Sequence, residues 1–96
     1  MDRNKERNFS PPVFLTFYSE HNTSISKQLG ILGWKEEQKD LVPGSLIFIY
    51  VTKKGIECCF EIKNKLDSMD YIWKDEVENK QIIYKNRWSA LLKGKS

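Results

Sequence analysis

The sequence predicts an α+β fold: a small, mixed, mainly antiparallel sheet that curls, with one or two short helices. β-branched and aromatic residues concentrate in short runs bounded by proline, glycine or polar clusters, which is typical of strands. The four runs are 13–18, 45–52, 56–62 and 82–92. Helical patterning is confined to two short segments, one between residues 22 and 30 and one within 64–80.

The size and composition bound the class of protein. With 96 residues, 40% of them hydrophobic and 30% charged, the chain is predicted to be globular, and wholesale disorder is excluded. We expect residues 1–12 to be a flexible arm and residues 13–96 to form a single domain. The longest apolar run, 46–51, is far shorter than the roughly 20 residues that span a bilayer.

The compartment is predicted from the cysteines and the first residues. Cys58 and Cys59 are adjacent, so on a strand they point to opposite faces and do not form a disulfide. Residues 1–12 are charged and contain no apolar segment of a secretory signal. We therefore expect a reduced, cytoplasmic protein.

The first strand and helix follow the prolines at the end of the arm. The run 13–18 is β-branched and aromatic throughout, which predicts a buried strand. Residues 21–24 offer N-caps and Gly30 offers a C-cap, with Ile25 and Leu29 four residues apart between them. A helix of about two turns is the prediction.

The middle of the chain is punctuated by turn residues. Gly33 predicts a turn after the helix. Pro43 and Gly44 predict a type II turn, because proline presets φ and glycine supplies the φ > 0 that this turn requires. The run 45–52 is the clearest strand, and residues 53–55 predict a three-residue hairpin loop with Gly55 in the left-handed position.

The returning strand, 56–62, alternates between apolar and polar residues, so one face is expected in the core and the other in water. The inward set is Ile56, Cys58, Phe60 and Ile62, and the outward set is Glu57, Cys59 and Glu61.

The segment 64–80 is open between two interpretations. Met69, Ile72, Trp73 and Val77 lie at helical spacing, but a loop that returns Ile72 and Trp73 to the sheet explains the same residues.

The last run, 82–92, predicts a strand from one face of which Lys85 and Arg87 project together. Residues 1–79 carry 11 basic and 13 acidic side chains, a net charge of −2, whereas residues 80–96 carry five basic and no acidic ones. This asymmetry is typical of an edge that faces a polyanion, although a solubilising tail has the same composition.

The residue types argue against an enzyme. The only histidine, His21, lies in a polar turn, and the strand cysteines are flanked by glutamates that oppose a thiolate. No phosphate-binding glycine loop or metal-ligand spacing occurs, and the pair Asp75-Glu76 is expected to be solvated. We expect no catalysis, no cofactor and no metal.

Two tryptophans are the candidate binding residues. Trp34 and Trp73 fall outside the confident strands and have polar neighbours. An indole near a loop can stack on a nucleobase, which is worth about 1–3 kcal/mol per base. Closing one end of a barrel is the competing interpretation for both.

Five short motifs in a fixed order resemble the EVE domain of the PUA-like superfamily, a relative of the YTH domain. They follow the first strand and extend to about residue 92. The motifs are the turn with Asn22, G-I-L-G-W, V-P-G-S-L-I-F-I-Y-V-T with its partner I-E-C-C-F-E-I, Y-I-W-K-D-E, and I-I-Y-K-N-R-W.

The resemblance implies a PUA-like β-barrel that holds a flipped, often methylated, nucleobase in an aromatic pocket. It places Asn22 and Thr23 at the family's Asn-Trp pair, Tyr50 in its Phe-Tyr-Val strand and Trp73 in its Ile-Trp segment. Tyr84 and Arg87 fall in its Tyr-Pro-Tyr-Arg strand. Trp34 lies two residues after the family's indole position. The predicted nucleic-acid-binding set is Asn22, Thr23, Trp34, Tyr50, Lys53, Lys54, Trp73, Lys85 and Arg87, with the lysines and Arg87 on phosphates.

The expected function is therefore a non-enzymatic module that binds DNA or RNA at a modified base, as in the readers of modification-dependent restriction systems. A larger effector protein or a fused domain is an expected partner, and a membrane is not. Two alternatives stay open: a protein-interaction or scaffold domain that uses the Trp34/Trp73 surface, and an ASCH-type PUA-like domain that acts on a small nucleoside.

Overall fold

The computed structural model describes residues 10–67 and 70–95 of the chain. Most of the predicted arm, residues 1–9, lies outside them, as do Ser68, Met69 and Ser96. The elements run in the order β1 (Val13–Phe17), α1 (Glu20–Leu29), β2 (Ile31–Trp34), β3 (Leu46–Val51), β4 (Gly55–Leu66), α2 (Lys74–Asn79) and β5 (Asn86–Lys95). The predicted α+β class is confirmed.

The five strands form one mixed sheet in the order β1-β3-β4-β5-β2. Only the pairing of β1 with β3 is parallel; the other three pairings are antiparallel. The sheet curls into a half-barrel, and side chains join its two edge strands. The Tyr18 hydroxyl donates to the Gly33 carbonyl (2.8 Å) and accepts from the Gly33 N–H (2.9 Å). Trp34 Nε1 donates to Thr16 Oγ1 (3.0 Å).

The turn at Pro43-Gly44 and the left-handed Gly55 are confirmed, but the hairpin loop is residues 52–54, and Gly55 is already the first residue of β4. Ser45 N donates to the Val42 carbonyl (3.0 Å) around Gly44, whose φ is +94°. In the β3–β4 hairpin, Lys54 N donates to the Val51 carbonyl (2.9 Å) and Gly55 has φ +86°. Both glycines adopt backbone conformations that L-residues rarely adopt.

The core lies on the concave face of the sheet, and β4 supplies three of its members: Cys58, Phe60 and Ile62. Their alternation along the strand is the predicted one. Ile56 belongs to the same predicted set but is exposed, because the pairing of β3 with β4 shifts register between Ile49 and Tyr50 near the hairpin. The other buried members are Leu32, Leu41, Ile47, Ile49, Val51 and Ala90.

The prediction that the first strand is buried is wrong. Because β1 is an edge strand, its outer face lies in solvent, and Val13, Leu15 and Phe17 are 58, 52 and 67% exposed. The parallel register places them beside Leu46, Phe48 and Tyr50 of β3, which are half-buried on the same face. The convex side of the sheet therefore carries a row of apolar side chains.

Helix α1 begins at Glu20, and Ser19 is its N-cap, before the residues predicted for that role. It ends at Gly30, which is left-handed as predicted (φ +70°). The side chains that face the core are Thr23 and Ser26, whereas Leu29 is exposed. No helix in the described ranges is long and apolar enough to cross a membrane.

Candidate functional site

A cavity of about 520 Å³ opens at the seam between the two edge strands, next to both helices. Its volume lies within the range of about 300–1,000 Å³ that is typical of small-molecule sites. Five aromatic residues border it: Tyr18, Trp34, Trp73 and Tyr84, and also Phe17, whose ring packs on Tyr50 at the convex face. Polar groups that also face it include His21 and Asn22 at the start of α1 and Asp75 in α2.

Trp73 forms a fixed wall of this cavity. It is 1% exposed, its Nε1 donates to Ser26 Oγ (3.2 Å), and its ring meets Tyr84 edge-on with 5.3 Å between centroids. Gly33 lies beneath the indole, and a Cβ there would come within 2.5 Å of Trp73 Cη2. Gly33 is thus a strand residue that gives room to an indole, and the predicted turn at this glycine is wrong.

A buried ion pair holds the segment that carries Trp73. Arg87 and Glu76 are both 0% exposed, and Arg87 Nη2 donates to both carboxylate oxygens of Glu76 (2.8 and 2.9 Å). Arg87 Nη1 and Nε donate to the carbonyls of Asp70 (2.7 Å) and Tyr84 (2.9 Å). The guanidinium also lies 5.2 Å from the centroid of the Trp73 ring.

Glu76 is the acceptor at the centre of this network. Beyond the two bonds from Arg87, it accepts from the backbone N–H groups of Ile72 (3.0 Å), Ile83 (2.9 Å) and Tyr84 (2.9 Å). Burial opposes its charge, but these N–H groups and the guanidinium outweigh the burial and hold the pKa of Glu76 below its ordinary value. The expectation that Glu76 is solvated is wrong.

Two further predictions, about Lys85 and Arg87, are also wrong. β5 begins at Asn86, so Lys85 lies outside the strand and does not share a face with Arg87. All three nitrogens of the Arg87 guanidinium group donate to groups within the protein. The buried guanidinium is therefore unavailable to a phosphate, whereas Lys85 is exposed.

Tyr84 and Asp75 form a polar pair in the cavity. The Tyr84 hydroxyl donates to Asp75 Oδ2 (2.5 Å). Burial, followed by this bond and the negative charges of Asp75 and Glu76, raises the pKa of Tyr84 to about 12, while the Asn22 side chain against the hydroxyl acts in the opposite direction. Asp75 Oδ1 is buried and has no hydrogen-bond partner among the described residues.

Tyr18 is the second tyrosine of the cavity. Burial raises its pKa, and the two hydrogen bonds to Gly33 fix its hydroxyl in place. The Tyr18 ring forms an aromatic wall of the cavity, whereas its hydroxyl is hydrogen-bonded to Gly33 at the seam.

The structure brings three of the nine predicted binding residues to the cavity: Asn22, Trp34 and Trp73. Thr23 lies outside the lining, where its hydroxyl donates to the Ser19 carbonyl (2.8 Å). Tyr50 lies on the convex face, and its ring packs at 5.2 Å from that of Phe17.

The tip of the β3–β4 hairpin contacts the first residue of α1. Lys54 Nζ is 2.9 Å from Glu20 Oε2, and Glu20 is flanked by Ser19 and His21, which both line the cavity. Lys53, the residue before Lys54, is exposed in the left-handed region with φ +71°. The hairpin tip thus lies beside the start of α1, and neither lysine is among the residues that line the cavity.

Sequence reasoning missed Tyr18 and Asp75 as cavity residues. Tyr18 follows a strand that was assigned to the core, and its role depends on the curl that brings it to Gly33. Asp75 had no usable signal, because it lies in a charge-rich segment of the sequence.

The described residues contain no cluster of three or more His, Cys, Asp or Glu that could hold a metal ion. Burial raises the pKa of Cys58 and of Cys59, which keeps both thiols protonated near neutral pH. Comparison with known proteins finds no matching family model and no matching curated protein. The side chains that line the cavity are therefore the basis for inferring what it binds.

Proposed function

We propose that this chain is a non-enzymatic, cytoplasmic nucleic-acid-binding module that takes one flipped base, in a modified (methylated) form, into the cavity. The observation that carries the proposal is the convergence of aromatic walls with polar groups at one cavity of nucleoside size. Flipped bases are held in this way, between aromatic faces and with hydrogen bonds to their edge. The EVE-like motifs of the sequence support the same function.

The aromatic residues and the lysines at the cavity have different roles in the proposed binding. Trp34 is half-buried, so one part of its indole is held by the protein and another is available for stacking. Lys35 and Lys74 line the cavity, so they can neutralise phosphates beside a flipped base. Lys53 and Lys54, at the hairpin tip next to α1, are proposed as further phosphate contacts. A methyl group on the base adds apolar surface that the aromatic walls can cover.

The larger assembly follows from the same proposal. A module that only recognises a modified base needs an effector to act on the nucleic acid. An effector protein or fused domain, as in modification-dependent restriction systems, is the partner that we propose.

A direct test measures the binding of fluorescently labelled oligonucleotides, single-stranded and methylated duplex, at low salt. We expect the parent protein to bind, and Trp34→Leu to weaken binding on the order of 5- to 150-fold, which corresponds to the loss of one stacked base. The salt dependence should stay nearly unchanged, because stacking releases no counterions. The control is Trp88→Leu, the same change at an indole that flanks the core and does not line the cavity.

Lys53→Ala combined with Lys54→Ala tests the phosphate contacts. The slope of log affinity against log salt should fall by about one to two units. Absence of binding by the parent to every oligonucleotide would overturn the proposal. Equal weakening by both tryptophan variants would also count against a stacked base.

A protein-interaction domain is the second candidate, and one observation favours it. The predicted Trp34/Trp73 surface is largely closed, because Trp73 is 1% exposed. The apolar convex face at Val13, Leu15 and Phe17 supplies a different surface of suitable character. If the parent protein binds none of the oligonucleotides, this second candidate is favoured.

A further inference from the structure

The convex face of the sheet is apolar in a place where a solvated face is normally polar. Along β1 and β3, every outward position carries an apolar or aromatic side chain. Both strands therefore have apolar residues on their two faces, which is typical of strands that are covered on both sides. The six outward residues are Val13, Leu15 and Phe17 in β1, and Leu46, Phe48 and Tyr50 in β3.

These six side chains continue onto the neighbouring strand as one surface. The register of β3 with β4 places Ile56 beside Tyr50 and Cys59 beside Phe48. Ile56 is more than half exposed, as are the three residues of β1. We call these eight side chains the outer patch. A contiguous apolar patch on a small protein marks an interaction surface.

The apolar area of the outer patch matches what one side of a homodimer needs. A fully exposed apolar or aromatic side chain presents about 150–200 Å², so the exposed residues and their half-buried neighbours together present roughly 500 Å². A standard dimer interface covers about 800 Å² on each copy, and about 65% of it is apolar in homodimers. The two areas agree.

The charges beside the outer patch favour a second copy over a charged partner. The patch itself contains no charged side chain. Next to Cys59 on the same face of β4, Glu61 is paired within the chain to Lys63 (3.2 Å) and Lys93 (3.4 Å). An apolar patch that packs on its own copy needs no opposite charge, and these ion pairs stay in water at the rim.

From these observations we propose that the chain forms a two-fold symmetric homodimer in which the outer patches of two copies pack face to face. Such a contact uses the same surface on both copies, so the assembly closes at two. Most of the patch lies on two adjacent strands and is about 10 Å wide, so the curl of the half-barrel bends it little. The test needs no nucleic acid and is therefore independent of the proposed base binding.

The experiment is sedimentation velocity of the full chain at concentrations of roughly 1–100 μM. The mass of the parent should rise with concentration to twice the 11.4 kDa of the chain. Leu15→Lys should raise the dissociation constant at least about 100-fold, because like charges from two copies meet in a desolvated contact. Phe17→Thr, which keeps strand-forming character, should raise it about tenfold or more and guards against misfolding of the lysine variant.

The matched control is Leu29→Lys. Leu15 and Leu29 are 52 and 53% exposed, but Leu29 lies at the end of α1, whose buried side faces the core. The control adds the same charge and should dimerise like the parent. A parent that stays monomeric over the whole range would overturn the inference and leave the outer patch to a different protein. Equal weakening by Leu15→Lys and Leu29→Lys, or species heavier than a dimer, would also overturn it.

Discussion

Replacing Glu76 by glutamine should destabilise the protein strongly, although the two side chains have nearly the same shape. The carboxylate accepts three backbone N–H groups and two bonds from Arg87, all with both partners buried or half-buried. Glutamine keeps one oxygen but points an NH₂ group at donors, so at least one backbone N–H loses its acceptor. It also leaves the buried guanidinium without a counter-charge.

These losses determine how much unfolding free energy Glu76→Gln should remove. Breaking a buried ion pair by removing one partner costs about 3–5 kcal/mol. A domain of this length has a free energy of unfolding of roughly 5–15 kcal/mol in total. Glu76→Gln should therefore remove a large fraction of the stability, and in urea, at an m-value of about 1–3 kcal/mol/M, the midpoint should fall by at least about 1 M.

The assay is urea unfolding followed by tryptophan fluorescence near neutral pH. Glu78→Gln is the matched control, because Glu78 lies two residues along α2 in an exposed pair with Lys74 (3.8 Å), which should contribute little. A Glu76→Gln midpoint that moves no further than that of Glu78→Gln would refute the role assigned to the buried pair.

Acid provides a second check on the same residue. Because folding lowers the pKa of Glu76, its stabilisation is complete above the ordinary value of 4.5 and is lost as the pH falls through the folded-state pKa. Glutamine does not titrate. The difference in unfolding free energy between the parent and Glu76→Gln should therefore narrow as the pH falls below 4.5, and a difference that stays constant would contradict the assignment.

Three other substitutions make separate predictions. Gly55→Val should lower the free energy of unfolding in urea by more than about 1 kcal/mol, because φ is +86°. Gly55→Asn should lower it less, because asparagine tolerates this backbone region. Equal losses in the two variants would argue against backbone strain. Gly33→Ala should cost about 1–3 kcal/mol, since the added methyl meets the Trp73 ring at 2.5 Å, and an unchanged melting temperature would show that the indole moves freely. Because folding raises the pKa of Tyr84 to about 12, the stability that this phenol contributes is present below pH 10 and lost as the pH rises toward 12. Tyr84→Phe should remove that alkaline loss, which unfolding curves across this range would detect, and phenolate absorbance should show one fewer late-titrating tyrosine.

The parts of the fold that could be predicted are those decided within a few residues. The hairpin at Gly55 and the turn at Gly44 each need a residue with a left-handed backbone conformation. A glycine in the sequence indicates such a position. The alternation of Cys58, Phe60 and Ile62 likewise reports which face of β4 is buried. In all of these cases the physical cause lies in the same segment as the residues that show it.

The errors concern residues whose role is set by distant partners. Alternation placed Arg87 on the surface, but Glu76 and the carbonyl of Asp70 make its burial favourable. Gly33 looked like a turn because the indole that needs its missing side chain is 40 residues away in the sequence. An edge strand and a central strand have similar composition, so the exposure of Phe17 could not be read from its run.

The candidate site was predicted in part for the same reason. Trp34 and Trp73 were found because indoles near loops suggest binding, and Asn22 was found through the family motif. Tyr50 and Thr23 were included through a family motif alone, and their side chains lie outside the cavity. Asp75 was set aside as one of many charged residues, since only the tertiary structure shows that one of its oxygens is buried and unpaired.

The bond between Tyr18 and Gly33 gives the cavity a built-in reporter. The Gly33 amide hydrogen is held by a single side-chain hydroxyl at the seam rather than by a neighbouring strand. Its exchange with solvent deuterium therefore measures how often the two edges of the half-barrel separate, independently of global unfolding. Because Tyr18 and Gly33 both line the cavity, an occupant that spans the seam must slow this one exchange rate. A single backbone resonance can thus follow occupancy without a label on either molecule.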